Sequence, residues 1–125
     1  MKNKKIAVIG LGYVGLPVSV LFASKYRVIG YDINPKRVNE LNNFKDETLE
    51  IKPKTLEKLI NNNLIISNDL DSIKDCNIYI VTVPTPVKKD NTPDLSILIN
   101  ATKKVARYIS KGDIVIYEST VYPGC

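Results

Sequence analysis

Hydrophobic residues in this chain cluster in five short runs, and longer, partly polar segments separate them. Each run is rich in Ile, Val and Tyr and is too short for a helix, which is typical of strands buried in a parallel sheet. The sequence therefore predicts five strands. They are Ile6–Ile9, Tyr26–Tyr31, Leu64–Ile66, Ile78–Val83 and Ile114–Tyr117.

The segments between these runs predict helices. Asn34 followed by Pro35 has the N-cap and first-turn residues that open a helix. The stretch Asn42–Lys54 is polar and is expected to be a loop. The first three predicted helices are Leu16–Ala23, Lys36–Leu41 and Thr55–Ile60, and a single turn capped by Asp69 is expected through Leu70 and Ile73.

A longer helix is predicted before the last strand. Thr92 is the expected N-cap and Pro93 the expected first residue. Apolar residues then recur at three- and four-residue spacing, which indicates one face packed on the core. This predicted stripe consists of Leu95, Leu98, Ile99, Thr102, Val105, Ala106 and Ile109.

The first run ends in a glycine-rich turn, Gly10-x-Gly12-x-x-Gly15, which leads into the first predicted helix. Gly10 would permit the tight turn, Gly12 would let a pyrophosphate approach the backbone, and Gly15 would let the helix pack close to the sheet. The N–H groups of a helix start favour phosphate at this place. A plain strand-to-helix turn is the other interpretation, but strand, glycines, helix, strand and acid follow in the order of a dinucleotide fingerprint.

Asp32 is that acid, since it follows the second predicted strand and lies 20 residues after Gly12. A carboxylate there binds ribose hydroxyls and favours NAD over NADP, because it repels a 2′-phosphate. Arg37 lies in the first turn of the next helix and would partly offset that repulsion. Two interpretations of Arg37 stay open: a guanidinium that stacks on adenine or contacts a phosphate, or a solvated surface arginine.

Strands that alternate with helices predict an α/β fold, a Rossmann-like doubly wound parallel sheet with strand order 3-2-1-4-5. The sixth strand of that fold would be missing from this chain. Ligands bind such sheets at the carboxyl ends of the strands, where the strand order reverses. The glycine turn, Asp32, Thr85 and Thr120 all follow strand ends, so one edge is expected to carry them. Because Pro84 and Pro86 flank Thr85, a plain strand terminator is the alternative there.

Composition narrows the class of protein. The 125 residues are 44% hydrophobic and 25% charged with a net charge of +5, which is ordinary for one globular domain. Scattered Lys and Arg give no support for nucleic-acid binding. Without a membrane-length apolar run or a signal-peptide pattern, the expected location is cytoplasmic. Two cysteines without a CxxC pair, and no histidine, predict no metal site, and Cys76 is expected to be a core thiol.

Four stretches of the sequence resemble one enzyme family. They are KIAVIGLGYVGLPVSV, VIGYDINPKRV, YIVTVPTPVKKDNTPDLS and IVIYESTVYPG. In this order they resemble the N-terminal NAD-binding domain of the UDP-glucose/GDP-mannose 6-dehydrogenase family. The last two stretches look most like bacterial members that oxidise UDP-N-acetylhexosamines, of the GalNAc or GlcNAc type, to uronic acids for surface polysaccharides.

The resemblance implies a set of contacts with NAD. Asp32 would bind the adenosine ribose, and Arg37 takes the place of the family's basic residue on the adenosine side. Thr85 and Thr120 would face the ribose and nicotinamide end, and Thr120 would also help to order water or substrate near the reacting carbon. The implied cofactor-binding residues are Gly10, Gly12, Tyr13, Val14, Gly15, Asp32, Arg37, Thr85 and Thr120.

The resemblance also implies a reaction for the full-length protein. Members of this family oxidise the C6 alcohol of a nucleotide sugar twice with two NAD molecules, through a cysteine-bound thiohemiacetal and thioester. That cysteine, the middle helix and the UDP-sugar-binding domain follow residue 125 in the family, and Cys125 does not match the nucleophile's motif. Residues 1–125 are therefore expected to be an inactive, NAD-binding fragment of a homodimeric enzyme that meets its UDP-sugar through the missing C-terminal domain.

Other functions stay open at this point. The sugar of the substrate could be glucose or N-acetylmannosamine. Another hydroxyacid-type dehydrogenase shares the glycine-rich start, although the Pro84–Pro86 and Ser119–Gly124 loops argue against it by resemblance. A complete, non-catalytic NAD-binding module is the third alternative, and the end shortly after Gly124 argues against it.

Overall fold

The protein is described by a computed structural model that covers residues 4–60, 62–84, 88–90, 92 and 94–118. Five parallel strands form one sheet in the order β3-β2-β1-β4-β5, which confirms the predicted fold class and strand order. The strands are β1 (Lys5–Ile9), β2 (Arg27–Tyr31), β3 (Leu64–Ser67), β4 (Ile78–Val81) and β5 (Ile114–Tyr117). The helices are α1 (Gly15–Ala23), α2 (Pro35–Asn42), α3 (Pro53–Leu59) and α4 (Ser96–Ala106), and a 3₁₀ turn spans Leu70–Ile73.

Strand β1 lies at the centre of the sheet, and the strand order reverses there. It pairs with β2 on one side and β4 on the other, so that Val8 lies opposite Gly30 and Ile80. Alternate residues of each inner strand point to opposite faces. Both faces of β1 are buried, which explains why its sequence is continuously apolar.

Helices α1, α2 and α3 cover one face of the sheet, here called the α1 face. Its buried residues form one contiguous cluster, which includes the fully buried side chains of helices and strands alike. Burial of this apolar surface is the main favourable contribution to folding on this side. The α1-face core consists of Ile6, Val8, Leu11, Leu16, Ala23, Val28, Val38, Leu41, Leu56, Ile60, Leu64, Ile66 and Ile80.

Helix α4 and the 3₁₀ turn cover the opposite face, here called the α4 face. The phenol of Tyr79 is fully buried there and donates to the carbonyl oxygen of Cys76 at 2.9 Å. A hydroxyl buried without a partner is costly, so this bond keeps Tyr79 compatible with the core. The α4-face core consists of Ala7, Ile9, Tyr31, Ile73, Cys76, Tyr79, Val81, Val83, Ala101 and Val105.

Local sequence signals set the start of α2 and of the 3₁₀ turn as predicted. The Asn34 side chain accepts a hydrogen bond from Lys36 N at 3.0 Å, and Pro35 is the first helical residue. Asp69 accepts from Asp71 N at 3.1 Å. These caps satisfy N–H groups that have no partner within the helix.

The predicted end of β4 is wrong. The strand ends at Val81 rather than Val83, because Val81 already lies opposite the last residues of both neighbouring strands, Ile9 and Tyr117. Beyond this point Thr82 N still donates to Ile9 O at 2.8 Å, but Thr82–Pro84, the described residues that follow directly, are not part of the strand. Val83 instead becomes part of the α4-face core.

The predicted start of α4 is also wrong. The helix begins at Ser96 rather than after Thr92, and the Thr92 hydroxyl donates to the Asp90 carboxylate at 2.6 Å. Asp94 accepts from Ser96 N at 3.0 Å, as a residue near a helix start does. Pro93, the other predicted start residue, lies outside the described residues.

The predicted apolar stripe of α4 is only partly core. Ala101 and Val105 are buried and Leu98 packs against them, whereas Ile99 is 50% exposed and Leu95 46% exposed. Ile99 follows Leu98 by one residue, which turns it about 100° around the helix and away from the sheet. Within the part of the chain that the structure describes, no helix has the length and apolar character needed to span a membrane.

Candidate functional site

The glycine-rich turn is fixed by close contact with the segment that follows β4. Gly10 has a φ of +99°, which favours glycine, and its carbonyl oxygen accepts a hydrogen bond from Thr82 Oγ1 at 2.6 Å. A Cβ on Gly15 would lie 1.7 Å from Gly10 O and 2.4 Å from Thr82 Oγ1. The start of α1 therefore rests directly on the turn, and only glycine fits at residue 15. Sequence reasoning missed Thr82, since it looked like an ordinary strand residue.

Gly12 has a different environment. A Cβ placed on Gly12 would meet no atom within 4 Å, so its backbone borders open space. Val14 is the N-cap residue of α1, Tyr13 is 70% exposed, and the first turn contains no acidic residue. The N-terminus of a helix attracts anions through its N–H groups and its dipole. An anionic ligand can therefore reach the backbone at Gly12.

Asp32 directly follows β2, beside the glycine turn. One carboxylate oxygen, Oδ2, accepts from Leu11 N at 2.9 Å, and the other, Oδ1, accepts from Asn34 N at 2.9 Å. A carboxylate has about four acceptor sites, so each oxygen can accept another hydrogen bond. The side chain is thus held in one orientation and still has capacity to bind hydroxyl groups of a ligand.

The guanidinium of Arg37 is buried, so the surface-arginine interpretation is wrong. The residue is 9% exposed, and its Nε donates to Leu11 O at 2.7 Å. Its Nη1 donates to Asp46 Oδ1 at 3.0 Å and lies 3.5 Å from Glu40 Oε2. Arg37 lines the same small cleft as Asp32, but its Nε and Nη1 bond the protein itself. Its Nη2 is buried and has no hydrogen-bond partner among the described residues.

Asp46 is the partner that sequence reasoning missed. Its side chain is fully buried, and its two oxygens accept from Thr48 N and Oγ1, Glu50 N and Ile51 N at 2.6–3.0 Å. Burial raises the pKa of the carboxyl, but hydrogen bonds from Thr48, Ile51 and Arg37 outweigh burial, so the pKa lies below its ordinary 3.8. The spacing of Asp46 and Thr48 is typical of a local Asx turn, which does not reveal a buried ion pair.

Two clefts meet at the glycine turn. A small cleft of about 300 Å³ lies between the turn, α2 and the loop after α2, and a larger groove of about 990 Å³ extends toward α4. Both are lined by Leu11, Gly12 and Asp32. These volumes fall in the range of small-molecule sites, about 300–1,000 Å³. Side chains that line only the larger groove include Ile33, Val83, Pro84, Ile97 and Asn100.

This arrangement fits a nucleotide with a diphosphate. The α1 N-terminus suits the phosphates, Asp32 suits ribose hydroxyls, and the apolar groove suits a flat ring. Cys76 is unsuited to act as a nucleophile, because it is buried and burial raises its pKa to about 11. Among the described residues, no group of three metal-ligating side chains is present. Thr85 and Thr120, predicted to line this edge, lie outside the described residues.

Comparison with known proteins identifies the family. A profile described as the UDP-glucose/GDP-mannose dehydrogenase family, NAD binding domain, matches residues 4–125. The chain is 49% identical to the UDP-N-acetyl-D-glucosamine 6-dehydrogenase of Salmonella typhi over 97% of its own length and 28% of that protein. It is 48% identical to protein CapL of Staphylococcus aureus over 98% of this chain and 28% of the relative.

A solved structure agrees with these matches. The UDP-D-ManNAc dehydrogenase of Pyrococcus horikoshii superposes with a TM-score of 0.87 at 37% identity, covering 96% of this chain and 29% of that one. The chain thus spans less than a third of the length of the relatives it matches. With the glycine turn, Asp32 and the strand order in place, the chain belongs to the UDP-glucose/GDP-mannose dehydrogenase family, of which it contains the NAD-binding domain.

Proposed function

We propose that residues 1–125 form the NAD-binding domain of a longer nucleotide-sugar 6-dehydrogenase. The observation that carries this proposal is the shared rim of the two clefts, where the open backbone of Gly12 lies beside the fixed carboxylate of Asp32. A diphosphate and a ribose are adjacent in NAD in the same way. The match to the family's NAD-binding domain supports the assignment independently.

Within this domain each residue has a distinct task toward NAD. Gly12, Tyr13 and Val14 would present the backbone at the α1 N-terminus to the diphosphate, and Asp32 would bind the adenosine ribose. Gly10 and Gly15 act indirectly, because they shape the turn. NAD, when bound, supplies the hydride acceptor. For Thr85 and Thr120, contact with the ribose and nicotinamide end is supported by the likeness of their loops to the family.

For the whole protein we propose oxidation of the C6 alcohol of a UDP-N-acetylhexosamine to the uronic acid, in two NAD-dependent steps. The name of the relative from Salmonella typhi supports this substrate over UDP-glucose. UDP-N-acetylmannosamine is the second candidate, since the Pyrococcus horikoshii structure carries that sugar in its name. We further propose a role in surface polysaccharide synthesis, a homodimeric protein and a cytoplasmic location, where NAD and UDP-sugars are available.

Two measurements test these proposals on the whole encoded polypeptide. Calorimetry should show NAD binding that weakens by about 10- to 100-fold in Asp32→Ala, because a bond to a charged group contributes about 1.5–3 kcal/mol. Glu57→Gln, on the exposed side of α3, is the control of equal charge change and should bind as the wild type does. NADP should bind more weakly than NAD.

A panel of UDP-sugars with NAD then tests the activity. NADH formation should be fastest with UDP-N-acetylglucosamine or UDP-N-acetylgalactosamine. If the wild-type protein fails to bind NAD, the domain assignment is wrong. If NAD binds but no UDP-sugar is oxidised, only the proposed reaction is wrong, and equal NAD affinity of wild type and Asp32→Ala would refute the role of Asp32.

A further inference from the structure

Leu11 lies between Gly10 and Gly12, and charged side chains form hydrogen bonds with both its backbone N–H and its carbonyl oxygen. Leu11 N donates to Asp32 Oδ2 at 2.9 Å, and Leu11 O accepts from Arg37 Nε at 2.7 Å. The Leu11 side chain is fully buried in the α1-face core. Two charged groups and a buried side chain therefore fix the backbone directly before Gly12, where phosphates are expected to bind.

Arg37 depends on Asp46 for its orientation. Its guanidinium is nearly buried, and the carboxylate of Asp46 at 3.0 Å is its nearest counter-charge, since Glu40 lies at 3.5 Å. A buried cation that loses its partner is strongly unfavourable and moves toward water. Without the Asp46 charge, Arg37 would therefore leave Leu11 O or bind it in several geometries.

Asp46 also folds the loop that follows α2. The N–H groups of Thr48, Glu50 and Ile51 all point at its carboxylate, and Leu49 between them adopts a φ of +58°. Two residues of this loop, Glu47 and Thr48, line the small cleft opposite Asp32. One buried carboxylate thus bonds to a wall of the cleft and to the arginine that holds the glycine turn.

We propose that Asp46 is a positioning residue for NAD binding, which acts through Arg37 on the peptide before Gly12 and through its loop on the wall of the small cleft. Asp46 itself need not touch the cofactor, since its side chain is fully buried. The inference rests on the proposed function, because it takes the glycine turn as the place where the diphosphate binds.

The ion pair of Arg37 and Asp46 also affects the choice between NAD and NADP. Arg37 lies near Asp32, where a 2′-phosphate would be, but Leu11 O and Asp46 already occupy its Nε and Nη1. Glu40 and Glu47 add negative charge to the cleft. Release of Arg37 from Asp46 would make its charge available to a 2′-phosphate. The ratio of NADP to NAD dissociation constants should therefore fall, which a general loss of stability would not cause.

The test measures both dissociation constants by calorimetry on the whole encoded polypeptide. Asp46→Asn keeps the size of the side chain and removes its charge, and we expect the Kd for NAD to rise about tenfold, as misplaced binding groups do. In Asp46→Asn/Arg37→Met the rise should be smaller than the product of the two single rises, because one of the two routes from Asp46 to the site runs through Arg37.

Two further variants separate positioning from folding. Tyr79→Phe removes a buried hydrogen bond on the α4 face, so it should lower the melting temperature and leave the Kd for NAD unchanged. Thr48→Val removes the hydroxyl bond to Asp46 at a residue that itself lines the small cleft. It is a milder test of the loop route, with about a threefold rise in Kd, if Asp46→Asn does not fold.

The outcomes are distinct. Wild-type affinity and an unchanged NADP to NAD ratio in Asp46→Asn, or additive effects in the double variant, would overturn this inference and leave the proposed function intact. In the milder test, wild-type affinity in Thr48→Val would overturn it as well. If the wild-type protein itself does not bind NAD, the proposed function fails, and the inference fails with it.

Discussion

The two faces of the sheet are packed very differently. On the α1 face three helices cover the sheet, and the buried cluster includes side chains from all of them. On the α4 face one helix and a 3₁₀ turn leave a groove of about 990 Å³ beside the glycine turn. Large exposed hydrophobic residues are concentrated at α4 and β5, namely Leu95, Ile97, Ile99, Ile109, Ile114, Ile116 and Tyr117.

Because of this difference, the two faces of the sheet have different roles in the site. The α1 face fixes the backbone geometry of the glycine turn, because the side chains that bond Leu11 and Arg37 belong to β2, α2 and the segments that follow them. The α4 face supplies room, because its groove borders Gly12 and Asp32 but is only partly filled by side chains. Tight packing therefore fixes the binding groups, and incomplete packing lets a ligand reach them.

We expect the largest loss of stability from a substitution at the contact between the glycine turn and α1. Gly15→Ala would place a Cβ 1.7 Å from Gly10 O, a backbone atom that no side-chain rotation can move away. Overpacking of this kind costs about 3 kcal/mol or more, so the variant should unfold at much lower denaturant concentration, or fail to fold. Chemical denaturation followed by circular dichroism measures the loss.

Gly12→Ala is the matched control, since its Cβ would meet no atom within 4 Å. Its stability should stay within about 1 kcal/mol of the wild type, while its affinity for NAD falls, because the methyl group occupies space expected for the diphosphate. Equal losses of stability in the two variants would contradict the division between a structural and a binding glycine.

A second pair of substitutions compares the packing of the two regions directly. Leu16→Ala, in the fully buried core of the α1 face, should lower the free energy of unfolding by about 2–5 kcal/mol. Ile114→Ala removes a similar volume from β5, but Ile114 is 54% exposed in residues 1–125, so in a protein of this length the loss should stay under about 1 kcal/mol. Denaturation curves that shift equally would show that β5 is packed as tightly as α1.

The sequence predicts the parts of this molecule that local patterns encode. The alternation of short apolar runs with helical segments predicted the strand order, which the structure confirms. Gly12 and Asp32, which the glycine motif singles out, line both clefts. Capping by Asn34 follows from hydrogen-bond chemistry within three residues. Each of these features depends on neighbours in the chain or on a fixed period.

The features that the sequence did not predict depend on contacts between residues that no regular spacing relates. The bond of Arg37 to Asp46 arises because an irregular loop folds back on α2, and no period marks it. Thr92 looked like an N-cap, but α4 begins only at Ser96, and Asp94 accepts the backbone N–H of that residue instead. Ile99 fits an apolar stripe by spacing, yet only the docking angle of α4 decides which side of a stripe is covered.

The smallest effect that we predict is on the pH dependence of stability, which should differ between the two faces. On the α1 face, Asp46 has a lowered pKa, so its contribution to stability is lost only in acid, as the pH falls below 3.8. On the α4 face, burial raises the pKa of Cys76 from 9.0 to about 11 and that of Tyr79 from 10.0 to about 12. A raised pKa favours the folded state below the unfolded value, and this contribution is lost as the pH rises.

Alkaline pH should therefore lower the contribution of the α4 face to the free energy of unfolding. Between about pH 9 and 11 the unfolded chain releases the Cys76 proton more readily than the folded chain, which lowers the free energy of unfolding by about 1 kcal/mol at pH 10. Guanidinium denaturation of wild type and Cys76→Ala at pH 7 and pH 10 measures the contribution of the thiol. Lysine ionisation is common to both proteins, and so is burial, the largest cause of the raised pKa of Tyr79; only the smaller Coulombic effect of Cys76 on Tyr79 differs. Cys76→Ala should lose less stability on going to pH 10. Parallel losses in the two proteins would mean that the thiol ionises in the folded state as readily as in the unfolded one, which is incompatible with a closed core beneath α4.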